Sequence, residues 1–232
     1  MKELERAVVY RPSRPIAGVR PFFLLPRWEE VPYWERCGGA PEAPLIEWMA
    51  GLLPEHSSVI DCGAHVGDWA ITLAMKGHDV LAFEPQPWLA RLCAAGVALN
   101  GLDDLCEVCD FGLSDHAGFL ELEALYEDGG GGSLVVKSGP ASALRMHVEV
   151  RRLDSISLGA LSLMKLDVEG AELDVLRGAI ETIHKHRPKL AFECWDDERG
   201  QRKEALFAFL HDELRYKTSK TTWPEFWVAD PR

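Results

Sequence analysis

A chain of 232 residues with 47% apolar and 27% charged residues has the composition of an ordinary globular domain, long enough to bury a core without help from metal or disulfide. Its 37 acidic residues outnumber its 25 basic ones, and the net charge of −12 works against polyanionic partners such as nucleic acid. Six cysteines stand at irregular spacings (Cys37, Cys62, Cys93, Cys106, Cys109 and Cys194), with no secretory segment and no run of about 18 apolar residues, so reduced thiols in a cytoplasmic protein without a membrane span are expected.

Residues 1–43 carry Pro12, Pro15, Pro21, Pro26 and Pro32 among the aromatics Phe22, Phe23, Trp28, Tyr33 and Trp34. Prolines at that density lack the N–H groups and the freedom in φ that regular elements need, so an irregular N-terminal arm is expected ahead of a domain at 44–232. Its aromatics either cover the core or wall a pocket. From Pro44 to Leu53 the residues Leu45, Ile46, Trp48, Met49, Leu52 and Leu53 recur at helical spacing. Beyond them the pattern alternates, with a strand at Ser58–Cys62, a helix at Val66–Lys76, a strand at Asp79–Glu84 and a helix at Trp88–Leu99. Further strands are expected at Leu105–Cys109, Phe119–Leu122, His147–Leu153, Leu163–Asp167 and Leu190–Glu193, with helices starting at Ala171 and at Gln201. Short apolar strands separated by helices mean a mostly parallel sheet covered on both faces, the doubly wound α/β class. The tail, with Trp223, Phe226 and Trp227, is expected to close that sheet. Asp128-Gly-Gly-Gly-Gly-Ser133 is either a mobile lid or the tip of a hairpin. Cys106 and Cys109 have the spacing of half a zinc site, but no second pair follows and the Glu-Val between them fits a strand.

The chemistry begins at Val59-Ile-Asp-Cys-Gly-Ala-His-Val-Gly67, where an apolar strand runs into a turn of small residues and then a helix. Gly63, Ala64 and Gly67 let the main chain approach a ligand, and Asp61 offers a carboxylate to a cationic amino group, directly or through water. That combination suits the methionine end of S-adenosylmethionine (AdoMet). A dinucleotide loop instead wants G-x-G-x-x-G, and His65 stands where its middle glycine belongs. Glu84 ends the next strand before Pro85 and is placed to accept ribose hydroxyls, a device that nicotinamide sites share. Asp110 and Phe111, at the end of the following strand, either hydrogen-bond and stack an adenine or form a plain turn.

Met164-Lys-Leu-Asp-Val-Glu-Gly-Ala-Glu172 is the second motif, with Asp167 and Glu169 at the carboxyl end of a central strand, where ligands of α/β sheets bind. If the strand continues to Glu169, then Lys165, Asp167 and Glu169 share a face. Such a group is either an ion-pair cluster or an active site. The Asp-Val-Glu-Gly run replaces the Asn/Asp-Pro-Pro-aromatic turn that holds a planar nitrogen in amino-methyltransferases, so an oxygen acceptor fits better.

Val59–Gly67, Phe83-Glu-Pro85, Arg152-Leu-Asp-Ser155, Lys165–Glu172 and Val175-Leu-Arg-Gly178, in that order, resemble the FkbM-type methyltransferases. The resemblance covers roughly Glu47 to Asp197. It implies a Rossmann-like class I methyltransferase fold with a seven-stranded sheet, and AdoMet-dependent O-methylation of a hydroxyl on a sugar, glycolipid or polyketide-like molecule, with S-adenosylhomocysteine as product. Carried over by position, the cofactor loop falls on Asp61, Gly63 and Gly67, the ribose acid on Glu84, and the strand-end acids on Asp167, Glu169 and Glu193. His65 stands where asparagine is commoner.

The expected mechanism is in-line displacement at a sulfonium methyl, with Asp167 or Glu169 taking the acceptor's proton, Glu193 opposite them, and Asp167 also placed beside the cofactor. His65 is the rival base, or a hydrogen-bonded spacer. Asp167, Glu169 and Glu193 also have the chemistry to hold a divalent metal such as Mg²⁺. A nicotinamide-dependent oxidoreductase and a catalytically inactive AdoMet-binding module are the alternatives, while oligomeric state is not legible.

Overall fold

The computed structural model describes residues 7–27, 30–124, 144–194, 200–223 and 225–232; the glycine run at 129–132 and Trp28 lie outside them. Two compact units divide the chain, Met1–Asp110 and Phe111–Arg232.

In the first unit the arm keeps little regular structure: strand β1 (Val8–Tyr10) pairs antiparallel with β2 (Phe23–Leu25), and helix α1 (Val31–Arg36) follows. Tyr10, Phe23, Leu25 and Trp34 are buried, with the Trp34 ring 5.1 Å from Phe23 and 5.8 Å from Tyr10, so these aromatics cover core. Tyr33, by contrast, is 50% exposed. The arm is tied down by Asn100, whose side chain accepts the Phe22 N–H (2.8 Å) and donates to the Phe22 carbonyl (2.7 Å). Helix α2 (Ala43–Ala50) has proline in its first turn and stops before Gly51, short of the expected Leu53.

Two βα repeats and a third strand follow the alternation in the sequence. Strand β3 (Ser58–Cys62), helix α3 (Asp68–Met75), strand β4 (Asp79–Phe83), helix α4 (Pro87–Leu99) and strand β5 (Cys106–Cys109) form a parallel set with Val59 opposite Val80 and Val80 opposite Cys106. The i,i+3 spacing puts Cys106 and Cys109 on opposite faces of β5, so the two side chains do not converge as zinc ligands of one strand would, and burial pushes the Cys106 thiol up to about 12.

The second unit opens with β6 (Gly112–Leu113), β7 (Gly118–Ala124) and β8 (Leu144–Arg151) in a three-stranded sheet of order β6-β8-β7. A 3-10 turn at Leu153–Ser155 leads to β9 (Leu163–Leu166), α5 (Glu172–Arg177), α6 (Ile180–His186), β10 (Lys189–Glu193), α7 (Gly200–Ala208), β11 (Tyr216–Lys220) and β12 (Phe226–Pro231). β9 and β10 are parallel, whereas β12 runs antiparallel between β10 and β11. The tail therefore enters the sheet as an inner strand, and Trp223 precedes it. Three strands in the first unit (β3, β4, β5) and four in the second (β9, β10, β11, β12) make seven, mostly parallel, in a doubly wound α/β architecture.

The helix expected from Ala171 is broken at Gly178, because the backbone there lies against Ser114: a Cβ at position 178 would stand 1.9 Å from the Ser114 carbonyl oxygen. α6 then restarts under the Asp154 carboxylate, which accepts the N–H groups of Glu181 (3.2 Å) and Thr182 (2.9 Å) and pairs with Arg152 (3.3 Å). Gly178→Ala is expected to lower stability by about 2 kcal/mol or more, read as a reduced urea midpoint at unchanged slope.

His78 is buried at the start of β4, its Nδ1 accepting the Ser57 N–H (3.2 Å). Burial, then Lys76 and His56, lower its pKa from 6.5, against a smaller opposing effect of Asp79. The unfolded chain thus takes up the proton first, so the stability that His78 contributes is complete above pH 6.5 and declines below it. Replacing it with Asn should flatten the acid-side fall in thermal midpoint.

Candidate functional site

Loop 61–67 is built by the strand beside it. The N–H groups of Gly63 and Ala64 both reach the Phe83 carbonyl, at 2.9 and 3.0 Å, and the Gly67 N–H closes on the Ala64 carbonyl at 2.7 Å. Gly63, His65 and Gly67 all take positive φ, at 79°, 51° and 90°. For His65 that conformation is strained, and its N–H is compensated by the Glu84 carboxylate at 2.9 Å. The other oxygen of Glu84 accepts the Gln86 N–H at 2.8 Å, across Pro85. Gly67 also has no room for a side chain: a Cβ would stand 2.7 Å from the Cys93 sulfur and 3.0 Å from Ile71 Cδ1.

Two consequences follow for ligands. The N–H groups of Gly63, Ala64, His65 and Gly67 are already engaged, which leaves little of the donor cradle that a pyrophosphate requires. The side chains that the loop region does bring in are carboxylates: Asp61 is 1% exposed and Glu84 4% exposed, both at strand ends. Buried acids suit an ammonium or a pair of hydroxyls and repel phosphate.

In the second unit β9 ends at Leu166, so strand alternation does not align Lys165, Asp167 and Glu169 as expected. A turn brings them together instead: Glu169 adopts φ 54° and Gly170 φ 98°, and the carboxylates of Asp167, Glu169 and Glu193 come within 4.8 Å of one another. Among the described residues no other trio of acids, histidines or cysteines meets this closely. Lys165, 2% exposed, sits 3.3 Å from Asp167. Glu172, buried in the first turn of α5, accepts the N–H groups of Gly170 (3.1 Å) and Val168 (3.4 Å) and so holds the turn closed. Burial raises Glu169 to about 7, with Asp167 and Glu172 adding to it and Lys165 opposing; burial likewise brings Glu172 to about 7, against its backbone hydrogen bonds.

Sequence reasoning missed the part of Glu172, although its place two residues after Gly170 was a signal that it could cap the turn. Of the remaining candidates, Asp110 is exposed beyond β5, and Phe111 is buried with the Arg151 guanidinium 4.0 Å over one face of its ring. His65 is half-buried in the loop.

A family model described as the methyltransferase FkbM domain matches residues 61–220. Methyltransferase sdnD of Sordaria araneosa is 28% identical over 177 residues, which take in 62% of this chain and 68% of that protein. Methyltransferase FkbM from Methylobacillus flagellatus KT superposes with a TM-score of 0.53 at 19% identity, over 77% of this chain and 45% of that one, so the chain spans about half of that protein's length. The tRNA (uracil-54, C5)-methyltransferase of Pyrococcus abyssi, solved in complex with S-adenosyl-L-homocysteine, superposes at 0.50 and 12% identity over 96% of this chain and 43% of that one. At such identities the superpositions establish the fold, which is the Rossmann-like class I methyltransferase fold. No helix among the described residues is long and apolar enough to cross a membrane.

A carboxyl with a raised pKa binds a proton more readily folded than unfolded, so its stabilising contribution is present below 4.5 and lost as pH rises through about 7. Glu169→Gln should therefore raise the thermal midpoint relative to the parent at pH 8 and leave it nearly unchanged at pH 4.

Proposed function

The chain belongs to the FkbM methyltransferase family, and we propose that it is an AdoMet-dependent O-methyltransferase acting on a hydroxyl of a small molecule or glycan. The observation that carries this proposal is the convergence of Asp167, Glu169 and Glu193 within 4.8 Å, with Glu169 titrating near 7. An oxygen acceptor must surrender a proton as its new bond forms, and a carboxylate poised near the working pH is suited to take it.

The residues of loop 61–67 fit AdoMet by the chemistry of their donor set. Asp61 would hold the amino group, Glu84 the ribose hydroxyls through its remaining lone pairs, and Gly63, Ala64, Gly67 and Pro85 the shape of the loop, with Asp110 and Phe111 toward the adenine. Bound AdoMet supplies an electrophilic methyl group. The chain's own task is to orient the acceptor hydroxyl and remove its proton, which the trio does with Glu169 as base, Asp167 held in place by Lys165, and Glu193 accepting a second hydrogen bond. His65 serves as the loop's spacer through its backbone N–H, which the Glu84 carboxylate accepts. Within the trio Glu169 is the carboxyl brought to about 7, so it is the member suited to exchange a proton at neutral pH. RNA is disfavoured as acceptor by the net charge of −12.

Titration calorimetry should show AdoMet binding, no NADH binding, and roughly tenfold weaker AdoMet affinity for Glu84→Gln; a folded protein that ignores AdoMet refutes the proposal. With a hydroxylated acceptor, Glu169→Gln is expected to cut kcat by about 100-fold or more while activity survives EDTA. Activity that disappears with EDTA and returns with Mg²⁺ would assign the trio to a metal instead.

A further inference from the structure

Helix α3 follows the cofactor loop directly, so whatever sets its position sets the loop. Three contacts lead from the N-terminal arm and the start of α2 to the α3–α4 pair. The fully buried indole of Trp69, in the first turn of α3, donates its Nε1–H to the Glu42 carboxylate, which stands immediately before α2. At the other end Lys76, the residue that ends α3, donates to the Ala17 carbonyl at 3.0 Å. Asn100, which ends α4, brackets the Phe22 backbone. α3 is thus gripped at both ends by residues that precede the family's matched region, 61–220.

Of the three, the Glu42–Trp69 contact lies nearest to the loop, two residues after Gly67. An indole N–H can only donate, and burying it without an acceptor is costly. Gly67 is packed against Cys93 and Ile71 with no slack, so a shift of the first turn of α3 passes directly into the backbone at Gly67. Taking AdoMet binding at loop 61–67 as proposed above, we propose that Glu42 is a positioning residue for the cofactor: by fixing Trp69 it holds the α3 end of the loop in its binding conformation, and the arm is thereby a working part of the cofactor site.

The test compares AdoMet affinity by calorimetry with ligand-free thermal midpoint in the full chain, for Glu42→Ala, Trp69→Phe, the double variant and Glu42→Gln. Glu42→Ala and Trp69→Phe should each weaken AdoMet roughly tenfold, and the double variant no more than either, since all three delete one hydrogen bond. Glu42→Gln, which keeps an oxygen acceptor, should recover most of the affinity. A Glu42→Ala protein that melts earlier yet binds AdoMet as the parent does would show a purely structural contact and overturn the inference; if it does not fold, Trp69→Phe tests the same bond from the donor side. A parent protein that binds no AdoMet removes the cofactor proposal and this inference together, and is told apart by its failure before any substitution is made.

Discussion

One carboxylate organises the first unit. Glu84 takes the N–H of His65 with one oxygen and that of Gln86 with the other, and so ties the middle of loop 61–67 to the exit of β4. His65 is held in a left-handed conformation that costs a non-glycine residue on the order of 1 kcal/mol or more, and this bond is what offsets it. The Phe83 carbonyl accepts the N–H groups of Gly63 and Ala64 and so fixes the start of the loop. A loop whose donors are satisfied by its own neighbours has little left for an anion.

The second unit achieves a different end by accepting unfavourable charge. Asp167, Glu169, Glu172 and Glu193 lie around one turn with Lys165 as the nearby cation, and burial keeps two of these acids near neutrality. Such an arrangement is poor for stability and useful for moving protons, the usual exchange at sites where like charges are held together. Glu172 belongs to this cost as well, since it stabilises the turn through Val168 and Gly170 while adding a further buried acid.

Much of the fold was legible in the residues. β3 and β4 fall within one residue of their expected bounds, and α3 and α4 within about two, because hydrophobic periodicity and the flanking Gly67 and Pro87 are local signals. Gly178 was not legible as a break: within Val175–Gly178 it reads as the end of one helical turn, and only the Ser114 carbonyl, 64 residues earlier, shows why the helix must restart. Asp154 was visible as part of a family pattern, yet its task of capping α6 from 27 residues away could not be read from spacing.

By itself the sequence determined the α/β class, the glycine-containing turn at 61–67 and the identity of the acids, since each is written in periodicity or in a short run of residues. Tertiary structure alone decided that Asp167, Glu169 and Glu193 meet through a left-handed turn rather than along one strand face, that Glu84 accepts the backbone N–H groups of His65 and Gln86, and that Glu42 reaches Trp69. Convergence of side chains depends on backbone conformations and distances that no local pattern carries.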